Sequence, residues 1–467
     1  MSAARRALAC TLVALGVPAV TAGPAGAHAA LVGSSPAADG RVKIGPSQAV
    51  LRFSAPVQVL NPRDVTVVDG DGVRIDNGAR TAAGDPRRVI VSLRGPMVPD
   101  SYTVRFRVVS ADSHAEAGAY VFAVGKVPLG APILAGAGGL SDTSPAAVGA
   151  RVVEFASLFL LLGLLAFRAL VWAPAVQTAR GVSGAERDSA VRDGQRMFWR
   201  AFWGLALVAG AAETGVLAAK SAVVFHTGLI TALLHPADAY RLVAASRFGD
   251  LLGWRCGALS LLVAVAFSTW NRESEGPPSV GPRGPVALMG LLGVAALTLL
   301  AAQGHASQAP IAPLSVAVDA THLTAVAVWM GGLACLAAVL LRAPRALPDG
   351  GRALASATLT RFSRVALWSV IAISLTGIAR ATGELSSPAQ LLTTGYGRDL
   401  MLKTSLLAPI LLLARRNRRL VGALVGGLTP TAARLRSVAR SVQMELAIAA
   451  GIVVIAALLV AQIPGRG

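Results

Sequence analysis

Six histidines, His28, His114, His226, His235, His305 and His322, are the foremost candidate metal ligands in the sequence. His28 follows Ala25-Gly26-Ala27, a small-residue cleavage pattern, so processing there would make it the N-terminal residue. A free N-terminal histidine offers an amine and an imidazole nitrogen, which can close a chelate ring on one metal ion. Asp112 and His114 are the natural further ligands, because residues two apart in an extended segment point to one face. A tetragonal set of nitrogen and oxygen donors suits Cu(II). On spacing alone, His114 reads equally well as a surface histidine.

A second constellation lies far along the chain. Asp319 and His322 are three apart and share a helix face. Met330, eleven beyond Asp319, returns to nearly that face about 16 Å deeper. A carboxylate and an imidazole above a soft thioether suit a copper ion entering and descending. Glu154 and Glu213 also stand in apolar stretches, where ionisable groups are costly enough to be read as functional. With His305, these residues make up the expected path. The bland alternatives are Asp319 paired with Arg380 or Lys403, and Met330 as core packing. Whether Met330, His226 and His235 bind metal stays open at this point.

These residues need elements to hold them. Residues 1–27 read as a secretory signal: Arg5-Arg6, an apolar run, then the cleavage pattern. Residues 28–125 alternate apolar and polar residues in short runs, such as Val89-Ile90-Val91-Ser92-Leu93 and Tyr102-Thr103-Val104-Arg105-Phe106. Asp39-Gly40, Asp69-Gly70, Asp71-Gly72, Asn77-Gly78 and Pro99-Asp100 punctuate them as turns, which predicts a small antiparallel sandwich or barrel. Residues 126–147, rich in Gly, Ala and Pro, read as a linker. Residues 148–463 contain about eight apolar runs long enough to span a bilayer, the seventh, Leu400–Leu413, being the shortest. The fold class is therefore multi-domain: an exported all-β sandwich followed by an α-helical multi-pass membrane domain.

Arginines concentrate in the first, third, fifth and seventh loops between the runs. The positive-inside rule places those loops in the cytoplasm and the sandwich outside, in agreement with the leader. All six histidines then fall outside or in the outer part of the membrane. The net charge of +19 is explained by these loops, and no basic face interleaved with aromatics suggests nucleic acid as a partner. The three cysteines form no CxxC, so Cys256 and Cys335 read as buried apolar residues.

His28-Ala29-Ala30-Leu31, Ser35-Pro36-Ala37-Ala38-Asp39-Gly40, Leu51-Arg52-Phe53-Ser54-Ala55-Pro56-Val57 and Ser110-Ala111-Asp112-Ser113-His114 resemble the copper-binding family CopC. The resemblance implies a seven-stranded cupredoxin- or immunoglobulin-like β-sandwich, with Cu(II) held by His28, Asp112 and His114. Ser113 stands where the family often has Gly, and Met97 is the one methionine between the leader and the linker, so a methionine-rich Cu(I) site is not expected there. Gly304-His305-Ala306, Asp319-Ala320-Thr321-His322-Leu323, Trp329-Met330-Gly331-Gly332-Leu333, Arg361-Phe362-Ser363, Thr376-Gly377, Tyr396-Gly397-Arg398 and Asn417-Arg418 are similar to the copper-resistance membrane family CopD. The whole chain therefore resembles CopC–CopD fusions.

The expected function is Cu(II) capture outside the membrane and copper transport, in the inward direction, through the membrane domain, where Cu(I) is a second expected form. The alternative is sequestration or sensing of copper outside without transport, with the spans as anchor. A copper donor or reductase outside the membrane is the expected protein partner, beside the lipid bilayer itself. No enzyme is expected. No nucleotide-binding GxxxxGK[ST] motif occurs, so an ion or copper gradient would drive transport.

Overall fold

The computed structural model describes residues 29–110, 115–133, 143–225, 227–276, 283–309, 311–346, 350–384, 389–425 and 432–461. The leader, His28, residues 111–114 and His226 lie outside the described residues. The alternating runs of the first part form strands β1 Leu31–Ser35, β2 Gly40–Val42, β3 Gln48–Phe53, β4 Val57–Gln58, β5 Val65–Val68, β6 Asp76–Ala82, β7 Asp85–Leu93, β8 Ser101–Ser110 and β9 Ala115–Val124. Among them, seven have four residues or more, and β2 and β4 are shorter.

One sheet has the order β1-β3-β7-β6, and the other β2-β9-β8-β4 with β5 also on β8. Alternation places Leu51 and Phe53 of β3 and Val89 and Val91 of β7 inward, against Tyr102, Val104 and Phe122 of the second sheet. The Asn77-Gly78 pair is not the turn its type suggests. It forms a bulge inside β6, where the register to β7 jumps between Asp76 and Ala79 and Gly78 takes a φ of +101° that favours glycine. The bulge folds the Asp76 carboxylate into the core, fully buried. There it accepts bonds from the backbone N–H groups of Val67 (2.9 Å) and Gly78 (2.9 Å) and from Arg74 Nη2 (2.5 Å). Burial alone would push this carboxyl up, but Arg74 and the two N–H groups outweigh it and hold Asp76 below its ordinary value.

The remainder is helical. Ser144 caps α1, Pro145–Ala166, which begins three residues inside the expected linker and runs through a π-helical turn, Phe167–Trp172, into α2, Ala173–Thr178. Then come α3 Gly184–Phe225, α4 Leu229–Leu234, α5 Pro236–Ala245, α6 Arg247–Glu275, α7 Arg283–Ala302, α8 Ala312–Ala346 and α9 Gly351–Glu384. The last four are α10 Gln390–Thr393, α11 Gly395–Ser405, α12 Leu407–Val425 and α13 Ala432–Ala461.

Among the described residues seven helical stretches are long and apolar enough to cross a membrane: α1 with α2, α3, α6, α7, α8, α9 and α13. The expected seventh run, Leu400–Leu413, is divided at Leu406 between α11 and α12. The pair still runs from one end of the bundle to the other. Tyr396 and Lys403 on α11 share a cavity wall with Arg380 and Ala461, whereas Arg416 on α12 bonds Ser437 near the start of α13. At the centre, α1 and α8 touch backbone to backbone: a Cβ on Gly163 would lie 2.5 Å from Gly331 Cα. Gly331 of the Trp329-Met330-Gly331-Gly332 run is thus explained by a helix crossing, and Gly332 by the Phe362 ring of α9, which a Cβ there would overlap.

The sandwich rests on the helical part. Arg107 Nη1 donates to the carbonyl of Val223 on α3 (2.7 Å). Val109, at the end of β8, packs with Val216 and Val224 of α3, Leu242 of α5 and Phe248 of α6.

Candidate functional site

A cavity of about 470 Å³ lies between α1, α3, α6, α7, α8, α9, α11, α12 and α13. The expected stripe of α8 forms part of its wall: Asp319, His322 and Met330 all line it. Trp329 lines it beside Met330, and the Gly331 crossing fixes how α8 is turned toward it.

The polar groups on this wall are held by α9. Asp319 Oδ1 pairs with Arg380 Nε at 2.6 Å, the first of the two structural partners the sequence offered. His322, buried at 7% exposure, places Nδ1 2.9 Å from Thr376 Oγ1. The Thr376 hydroxyl itself donates to the Ala372 carbonyl at 2.6 Å. With its proton committed there, Thr376 can only accept from the ring, so the network assigns the proton of His322 to Nδ1. Nε2 is then left with its lone pair, the form in which an imidazole binds a metal ion.

Glu154 and Glu213 do not join this wall. Both converge on Arg255 of α6, which is fully buried. Arg255 Nη2 lies 2.6 Å from Glu154 Oε1 and 2.5 Å from Glu213 Oε2, and its Nη1 donates to Gln303 Oε1 at 2.7 Å. Arg151 closes the network on Glu154 Oε2 at 2.9 Å. Two carboxylates and two guanidiniums sum to zero charge, so the cluster satisfies itself. The expected outer group of acids is therefore two clusters, one lining the cavity and one spent on an ion-pair network. Arg255 escaped the sequence reading, although an arginine inside the apolar run Leu251–Trp270 is itself a signal.

The remaining histidines are placed as follows. His305 opens a 3-10 turn, His305–Gln308, directly after α7, near the mouth residues Gly304 and Ala306. His235 sits at the junction of α4 and α5 with Nδ1 2.8 Å from the Thr231 carbonyl, away from the cavity. Among the described residues no three His, Cys, Asp or Glu side chains form a metal-holding group.

His28, Asp112 and His114 lie outside the described residues, but their immediate neighbours do not. Ala29 is buried, and Ala30 exchanges backbone bonds with Ser54, donating to its Oγ and accepting from its N–H. Three residues on, Val57 pairs with Ser110. Val109 in turn pairs with Ala115 across residues 111–114. The chain next to His28 and the two ends of the Asp112–His114 segment therefore come to one end of the sandwich. That end carries Val109, which packs on Val216 and Phe248, and both of these also line the cavity.

Comparison with known families follows the same division. Residues 31–125 match the CopC domain, residues 141–311 the copper resistance protein D-like N-terminal domain, and residues 356–459 copper resistance protein D. The chain is 28% identical over 405 residues to the copper transport protein CutJ of Bacillus subtilis (strain 168), covering 84% of this chain and 69% of that protein. Its first part is 32% identical over 121 residues to protein YobA of Escherichia coli (strain K12), covering 26% of this chain and 93% of that protein. Among solved structures, CopC from Methylosinus trichosporium OB3b is 33% identical, covers 21% of this chain and 93% of its own, and has a TM-score of 0.19. With the three matched regions following one another along one polypeptide, the chain belongs to the proteins that join a CopC domain to a CopD membrane domain.

Proposed function

We propose that this protein captures Cu(II) on its sandwich domain outside the membrane and passes copper inward through the cavity of its helical domain. The observation that carries the reading is the single wall shared by Asp319, His322 and Met330. Oxygen, nitrogen and sulfur donors follow one another along α8 instead of closing into one cage, as suits an ion that must leave again. His28, Asp112 and His114 are the proposed capture ligands, and His305 stands beside the mouth. The names of the CopC, CopD and CutJ relatives support copper as the cargo. The arginine-rich loops support a cytoplasmic side opposite the sandwich. Glu154 and Glu213 serve in this reading as the frame of the path, not its ligands.

The test is radiocopper entry into vesicles of known orientation, normalised to protein abundance. Entry by the wild type that is lost in Asp319→Ala and His322→Ala supports the reading. Normal entry by both variants would leave those residues a structural role, and outward movement would reverse the direction. Separately, His28→Ala or His114→Ala should weaken Cu(II) binding outside without touching the cavity.

A further inference from the structure

Below the cavity, on the side away from the sandwich, a second polar pair is buried without a charge partner. Glu445 of α13 is 3% exposed and Asn417 of α12 is 8% exposed. Asn417 Nδ2 donates to Glu445 Oε1 at 2.6 Å. Among the described residues no lysine or arginine pairs with Glu445. Asn417 Oδ1 and Ser441 Oγ, one turn before Glu445, are buried with no hydrogen-bond partner.

Donor counting assigns the charge state. An ionised carboxylate has only acceptors to offer, so it can satisfy the Asn417 N–H but leaves Asn417 Oδ1 orphaned. A neutral carboxyl carries an O–H as well. It can accept from Nδ2 through one oxygen and donate to Oδ1 through the other, the ring that a carboxylic acid and a primary amide form together. A buried carboxylate without a cation is also far costlier than a neutral acid.

The pair stands where it can sense the cavity. Ala449, Ile452 and Val453, at four, seven and eight residues beyond Glu445, are on its helix face and line the cavity. On α12, Ile410 lines the cavity two turns above Asn417. Glu445 and Asn417 do not line the cavity themselves; they lie one turn beyond Ala449 and two turns beyond Ile410, past the end of the space opposite Asp319 and His322.

We propose that Glu445, paired with the Asn417 side-chain amide, is a proton-binding site one helical turn beyond the cavity lining, and that copper passing that end of the cavity displaces its proton, so that copper and protons move in opposite directions. The proton passes from the carboxyl O–H to water as the charge of copper reaches the inner end of the cavity, and the carboxyl is reprotonated from water once copper has left. No electron transfer is involved. The exchange half of this inference rests on the transport reading above; the protonation half does not.

Two measurements on the purified full chain test it. In proteoliposomes holding an internal pH dye, radiocopper movement by the wild type should be accompanied by opposite proton movement. An imposed pH gradient should drive copper accumulation, and Glu445→Gln should lose that response. Gradient-driven accumulation that persists in Glu445→Gln overturns the exchange. Independently of transport, the infrared spectrum of the wild type at neutral pH should contain a protonated-carboxyl C=O band. The band should shift in deuterated water, shift again in Asn417→Leu and be absent from Glu445→Gln. Absence of that band in the wild type overturns the site. If the wild type moves no copper at all, the transport reading fails while the infrared result still decides the protonation of Glu445.

Discussion

Arg380 lies 2.6 Å from Asp319, tying α9 to α8 at the mouth of the cavity. The contact separates two roles that a single substitution would confuse. Asp319→Ala leaves a guanidinium half-buried and unpaired, a loss of up to about 3–5 kcal/mol where burial is complete. The double variant Asp319→Ala with Arg380→Ala removes both charges and should regain most of the lost stability. Copper entry should stay lost in the double variant if Asp319 also handles the ion. Thermal unfolding in detergent and vesicle uptake, measured on the same preparations, check this. Uptake restored together with stability would make the pair structural.

Thr376 is expected to tune His322 from behind. Thr376→Val removes the acceptor of the Nδ1 proton while keeping the shape of the side chain. The imidazole then loses its fixed tautomer and orientation, and the apparent copper affinity of uptake should weaken by about 10–100-fold. His322→Ala should be more severe. The concentration dependence of copper entry distinguishes the two, and equal affinity in Thr376→Val and wild type would show that the hydroxyl does not matter.

Arg255 holds α1, α3 and α6 together through Glu154 and Glu213. Arg255→Met strands the buried carboxylate of Glu213 and leaves Glu154 with Arg151 alone, and the full chain should lose about 3–5 kcal/mol and most of its folded yield. Adding Glu213→Gln should restore much of the yield, because the orphaned charge is gone while Glu154 keeps Arg151; adding Glu154→Gln as well removes the second carboxylate and leaves the partly exposed Arg151 to solvent. Size-exclusion profiles of the three proteins report the outcome. A restored triple variant that also transports copper would confirm that neither glutamate is a ligand.

The strand pattern and the positions of the long helices were legible because periodicity and apolar length are local. Val65–Val68 and the cores of β3, β7, β8 and β9 follow directly from alternation. Asn77-Gly78 misled because a bulge and a hairpin turn ask for the same left-handed glycine; only the partner strand decides between them. The seventh membrane run is short by its apolar length, and its break at Leu406 has a local cause as well: Pro409 has no N–H to bond the Ser405 carbonyl. The α8 stripe survived because helical spacing alone places Asp319, His322 and Met330 on one face. The fate of Glu154 and Glu213 was hidden, because their partner Arg255 lies 101 and 42 residues away. Glu445 was hidden for a simpler reason: it sits at the very edge of its apolar run, where a carboxylate looks solvated.

Asp76 supplies a pH dependence with a definite sign. Its carboxyl is held below the ordinary value in the folded protein, so it stabilises the sandwich at neutral pH. That contribution is lost as pH falls through the lowered folded value, where the carboxylate must take up a proton that its partners do not want. The protection of the Val67 and Gly78 amides in the full chain, measured against their intrinsic exchange rates at each pH, should therefore fall on acidification below the usual carboxylate range. In Asp76→Asn the protection should be lower already at neutral pH, by about 1–3 kcal/mol of opening free energy, and should not fall further with acid on this account. Protection in the wild type that does not change with acid would contradict the role given to Arg74.

The seating of the sandwich on α3 through Arg107 and Val109 bears on delivery kinetics. Two partners joined within a few nanometres meet at an effective concentration in the millimolar range, whatever the bulk concentration outside. An ion released at that end of the sandwich meets the cavity as a neighbour, not as a solute. Under the proposed function, delivery at scarce copper becomes a first-order step governed by how often the sandwich is loaded. Supplying the sandwich as a separate polypeptide should turn it back into a second-order search, visible as uptake that now rises with external copper over a far wider range.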